Sequence, residues 1–157
     1  MPSADRSLVR LLVAVCVLPH ELGHAVPARL AGLDARITVL PDWEGQAVPL
    51  ARFNAPLEQT TPLWVVRLVA VGPLLTYLAV AGAVGVVTPP DPAVTVPLLV
   101  ALSFWAGLSQ GDLAVAATPE VAREAGEFLA PPTQATVTAT LLLTPATVVG
   151  VGLLLLR

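Results

Sequence analysis

Four apolar stretches, residues 8–30, 63–87, 94–117 and 135–156, divide the chain. A helix that crosses a bilayer needs about 20 consecutive, mostly apolar residues. Inside lipid only a helix or a closed barrel satisfies its own backbone polar groups. The expected fold class is therefore an all-α polytopic membrane protein with about four transmembrane helices, multi-pass in the cell membrane. Composition agrees: 55% of the 157 residues are hydrophobic and 12% are charged, against about 45–50% and about 25% in soluble domains. A single membrane domain over residues 1–157 is expected.

The linkers carry the remaining fold signals. The longest, residues 32–62, contains Ile37-Thr38-Val39-Leu40, then Pro41-Asp42-Trp43-Glu44-Gly45, then residues 46–51. That order reads as strand, turn, strand, so a small β-hairpin is expected in the first long loop. Thr88-Pro89-Pro90-Asp91-Pro92 marks a tight turn between the second and third spans. Thr118-Pro119-Glu120 reads as the start of a short surface helix that ends before Pro131-Pro132. Pro19 and Pro27 predict a kink or break in the first span. Arg6 and Arg10 ahead of an apolar run resemble a signal-peptide start, but the run continues past His24 without a small-residue cleavage site, which favours a retained helix.

Four spans place both termini on one side with Arg6, Arg10 and Arg157. The other side holds Arg29, Arg36, Arg52, Arg67 and Arg123. The positive-inside rule then puts the hairpin loop in the cytoplasm and the termini outside. The net charge of −3 and the lack of a basic cluster give a nucleic-acid partner no electrostatic basis. The single cysteine, Cys16, excludes an internal disulfide framework.

The chemistry concentrates at His20-Glu21-Leu22-Gly23-His24. Two histidines four residues apart share a helix face and can reach one metal ion. Glu21 points roughly 100° around the helix, near enough to act as base toward metal-held water. This is the zinc-protease arrangement of two His ligands and a Glu base. These are the chain's two histidines, and they lie within an apolar span. Each ionisable group there costs roughly 2.5–3.5 kcal/mol on insertion scales, so it needs a partner.

A catalytic zinc takes three protein ligands and keeps one open position. Asp112 in the third span is the candidate third ligand. Spans one and three run in the same direction. At about 1.5 Å per residue, the histidines, about 12–16 residues into one span, and Asp112, about 15–18 into the other, lie at similar depth. Gly107 and Gly111 form a small-xxx-small pair that predicts close helix approach beside it. Cys16, one turn before His20, is read either as a soft ligand or as a small buried apolar residue.

His20-Glu21-Leu22-Gly23-His24-Ala25, followed by Ala28-Arg29-Leu30-Ala31-Gly32, resembles the first motif of the site-2 protease family of intramembrane zinc metalloproteases. Gly72-Pro73-Leu74-Leu75 is similar to the Gly-Pro segment that opens that family's middle core helix, and Asp112 stands in the place of its third zinc ligand. The resemblance covers the first three spans. It departs at Thr76, which stands nearest the place where the family often has Asn, and at Phe104, Gly107 and Leu113, which replace the usual surroundings of the Asp. It implies one Zn2+ per chain held by His20, His24 and Asp112, Glu21 as catalytic base, and Thr76 as the nearest residue to assist the reacting carbonyl. The implied activity is cleavage of a peptide bond in or near a transmembrane segment of a membrane-protein substrate. An edge strand of the hairpin would then hold the unwound segment by strand addition, or the hairpin would only cap the bundle. Two other classes stand beside the protease: a non-catalytic relative that binds metal or serves as a partner-binding scaffold, and a zinc transporter, whose metal-site helix Pro19-His20-Glu21-Leu22-Gly23 also resembles.

Overall fold

The computed structural model describes residues 3–39, 51–87 and 91–157. The chain is mostly helical, with one small two-stranded sheet. In order the elements are α1 (Ser3–Leu30), β1 (Arg36–Val39), β2 (Ala51–Asn54), α2 (Leu63–Ala70), α3 (Gly72–Val87), α4 (Pro92–Ala106), α5 (Gln110–Ala117), α6 (Pro119–Ala125) and α7 (Gln134–Leu155).

Each apolar stretch becomes helix, but two of them are broken. The second divides at Val71 into α2 and α3, bent by 56°, and the third divides at residues 107–109 into α4 and α5, bent by 48°. Pro73 has no N–H to continue the α2 ladder. At the other break Ser109 starts a new helix: its hydroxyl accepts from the Asp112 N–H at 3.1 Å, while Asp112 Oδ2 accepts from the Ser109 N–H at 2.7 Å. This is a complete capping box. Conversely, α1 is one helix through both Pro19 and Pro27, so the expected break is absent there. Among the described residues one helix, α7, is long and apolar enough to cross a membrane by itself, and each bent pair qualifies when counted as one span.

The bundle is organised around α3, which packs against α1, α4 and α7. Small residues make this possible. A Cβ on Gly23 of α1 would lie 2.6 Å from Pro73 Cα, and one on Gly72 would overlap the Gly23 carbonyl oxygen. The helices therefore touch backbone to backbone at the His-Glu-Leu-Gly-His segment. Gly107 and Gly111, in contrast, face only atoms of their own segment. The close approach expected beside them does not occur, because Gly107 belongs to the break. Much of the apolar surface faces outward: Leu141, Leu142 and Leu153 of α7 are each at least two-thirds exposed. The hydroxyls of Thr138, Thr140 and Thr144 donate to carbonyls one turn back at 2.8–3.0 Å, which satisfies polar groups on an apolar helix.

The strands pair antiparallel, with Arg36 opposite Asn54 and Val39 opposite Ala51. The first strand lies where expected. The second described strand is Ala51–Asn54; residues 46–50 of the predicted strand and the predicted turn fall outside the described residues. Phe53 is the strand residue that stacks on His24. The predicted tight turn at residues 88–92 also lies partly outside the described residues; Asp91 caps α4 by accepting from the Ala93 N–H at 2.9 Å. The predicted surface helix is α6. It stops at Ala125 because Gly126, at φ 76°, takes the left-handed cap conformation.

Candidate metal centre

α1 carries His20 and His24 one turn apart, and the capping box at the start of α5 turns the Asp112 carboxylate toward them. His24 Nε2 lies 3.3 Å from His20 Nε2 and 3.2 Å from Asp112 Oδ1, and His20 Nε2 lies 3.6 Å from Asp112 Oδ2. One ligand atom from each residue lies within 4.8 Å of the other two, a group that could hold a metal ion. The similar depths expected for the two spans bring these three residues together as predicted.

The opposite ring nitrogens show what the site offers. His20 Nδ1 contacts the Trp105 carbonyl at 3.0 Å and His24 Nδ1 contacts the Val69 carbonyl at 2.8 Å. A carbonyl can only accept, so each Nδ1 carries the hydrogen, and a ring in its neutral form presents its Nε2 lone pair to the centre. In that neutral form two lone pairs and a carboxylate converge with no donor among them, an arrangement a cation resolves. Donors at about 2.0–2.2 Å from a tetrahedral zinc stand about 3.3–3.6 Å from one another; here the two Nε2 atoms are 3.3 Å apart, and each has a different Asp112 oxygen at 3.2 or 3.6 Å. Two imidazoles and a carboxylate are also an ordinary zinc set, leaving one position for substrate or water.

Glu21 is buried at 9% exposure and lines the same cavity of about 350 Å³ as the three candidate ligands. The Phe53 backbone amide faces its carboxylate. β2 forms one wall of this cavity and Phe128 another. The Phe53 ring stacks on His24 at 5.4 Å and 26° and meets Phe128 edge-on at 5.2 Å. Arg52 and Glu127 join the same two segments by an ion pair at 2.9 Å. A second cavity, of about 340 Å³, reaches His20 from the side of α4 and α7, between Phe104, Leu108 and Thr144.

Two sequence-level candidates lie apart. Thr76 is half-buried on α3 and is not among the residues lining either cavity. Its neighbour Tyr77 bonds the Pro19 carbonyl through its hydroxyl. Cys16 is exposed, neither a ligand nor buried; its carbonyl accepts from Trp105 Nε1 at 3.1 Å. The residues missed were Phe53, Phe128 and Ser109. Phe53 sits on β2 and Phe128 in the loop after α6, and neither carries a local signal. Ser109 was readable, since Ser109-Gln110-Gly111-Asp112 has the spacing of a helix start.

Compared with protein-family models, with curated proteins and with solved structures, the chain finds no match in any of the three.

Proposed function

We propose that this chain is an intramembrane zinc metalloprotease that hydrolyses a peptide bond in or near a transmembrane segment of a membrane-protein substrate. The carrying observation is the convergence of His20 Nε2, His24 Nε2 and the Asp112 carboxylate, one ligand atom of each within 4.8 Å of the others, with a buried Glu21 on the wall of the same cavity. His20, His24 and Asp112 would hold one Zn2+. Bound zinc polarises the scissile carbonyl and makes water acidic enough to attack near neutral pH. Glu21 takes the proton from the attacking water as the C–O bond forms. It delivers that proton to the amide nitrogen as the C–N bond breaks. β2, which lines the cavity through residues 51–53, would hold the substrate in extended form across it.

The chain would cross the membrane four times, through α1, the bent pair α2–α3, the bent pair α4–α5, and α7. The outward-facing apolar side chains of α7 and its internally bonded threonine hydroxyls support this reading. The hairpin loop would lie in the cytoplasm and the termini outside.

The test is metal analysis of detergent-purified protein beside two variants, followed by a cleavage assay. The assay uses a pool of tagged single-span peptides in detergent, with new termini read by mass spectrometry. We expect about one zinc per chain in the wild type and Glu21→Gln, much less in Asp112→Ala, and new termini from the wild type alone. With Glu21→Gln the rate should fall by about 10²–10⁴-fold. A wild type that takes up no zinc on reconstitution overturns the proposal. One that holds zinc and cleaves nothing in the pool supports a metal-binding scaffold instead.

A further inference from the structure

The two helix breaks have a consequence for the histidines. In an unbroken helix, the Val69 carbonyl would accept from the N–H of residue 73 and the Trp105 carbonyl from that of residue 109. Residue 73 is Pro73, which has no N–H, so beside the one backbone N–H it takes at the α2 cap the Val69 carbonyl keeps a second lone pair open. The N–H of residue 109 donates to Asp112 Oδ2 at 2.7 Å instead. These are the two carbonyls that meet the imidazoles: Val69 O at 2.8 Å from His24 Nδ1 and Trp105 O at 3.0 Å from His20 Nδ1.

We propose that Pro73 and the Ser109–Asp112 capping box are positioning residues for the two histidines, each releasing one helix carbonyl that holds one imidazole with Nε2 toward the centre. Pro73 acts on His24 through Val69. Asp112 acts on His20 through Ser109 and Trp105, in addition to facing the centre itself. A free imidazole is under no such constraint, and a ring with hydrogen on Nε2 has no lone pair there to give a metal. The zinc readout below rests on the metalloprotease reading; the tautomer readout does not.

The chain has two histidines, so ¹⁵N NMR of zinc-free, His-labelled protein in detergent resolves their ring nitrogens directly. The wild type should carry hydrogen on Nδ1 of both. In Pro73→Ala the restored N–H competes for the Val69 carbonyl. His24 should then lose its Nδ1–H preference while His20 keeps it, and zinc affinity, measured by chelator competition, should fall about 10–100-fold. Pro145→Ala restores an N–H inside α7, on a helix that carries neither the Val69 nor the Trp105 carbonyl, and should change neither. In Asp112→Ala the Ser109 N–H can return to the Trp105 carbonyl, and His20 should lose its Nδ1–H preference. Simply removing a carboxylate that faces Nε2 would push His20 the other way, so this result separates the release from a direct charge effect.

A wild-type His24 with hydrogen on Nε2 and none on Nδ1 overturns the proposal. So does a folded Pro73→Ala protein with His24 tautomer and zinc affinity unchanged. Should Pro73→Ala fail to fold, the wild-type spectrum and Asp112→Ala decide. The expected tautomers in a wild type that binds no zinc overturn the metalloprotease reading and leave the positioning role standing.

Discussion

Gly23 sits between the two histidines and has a steric duty distinct from theirs. Its missing Cβ is what lets Pro73 Cα approach α1, and the obstructing atom is backbone, which cannot swing aside. Gly23→Ala should therefore destabilise the protein by about 1–3 kcal/mol, the usual range for overpacking, and loosen zinc by moving Pro73 of α3 and, with it, the Val69 carbonyl at the end of α2. Gly32 makes a useful comparison. It has open space around it but a φ of 82°, so Gly32→Ala should cost about 1 kcal/mol through backbone strain alone and leave zinc affinity unchanged. Thermal unfolding in detergent beside chelator competition distinguishes the two. A Gly23→Ala protein as stable as the wild type would mean that α1 and α3 have slack at this crossing.

The elements were partly legible in the sequence. Hydropathy located every long helix because burial in lipid or bundle demands apolar runs whatever the helix direction. For the same reason it could not see the breaks at Val71 and at residues 107–109, where the chain turns while composition stays apolar. The Ser109-to-Asp112 cap carried the missing information inside what reads as a continuous span. The His-Glu-Leu-Gly-His segment was fully legible, since a one-turn spacing on one helix is a local property. The aromatic wall was not, because Phe53 and Phe128 meet only after 74 residues of intervening chain have folded. This wall, rather than the ion pair beside it, should hold the hairpin on the bundle. Phe53→Ala should cost about 1.5–3 kcal/mol, as expected for a large apolar side chain losing its packing. Arg52→Ala, which removes a partly exposed pair with Glu127, should cost no more than about 1 kcal/mol. Equal losses measured by unfolding would mean that the pair, not the ring, anchors β2.

For the molecule as a whole, the four-span proposal makes an orientation prediction. In a Cys16→Ala background, a cysteine at Asp34 should react with an impermeant maleimide only in inverted vesicles, and one at Arg157 only in intact cells. Both on one face would require an even number of crossings between them, and the reverse pattern would invert the orientation. The long separation along the chain between the histidines and Asp112 also has a consequence for biosynthesis. His20 leaves the ribosome roughly ninety residues before Asp112, which at about 5–20 residues per second is a delay of about 5–18 s. Throughout that interval the nascent chain has the two histidines without Asp112, and the α4–α5 pair is incomplete. On the proposed function it could not cut its neighbours in the translocation channel, and competence would arrive only once the third crossing had folded back onto the first.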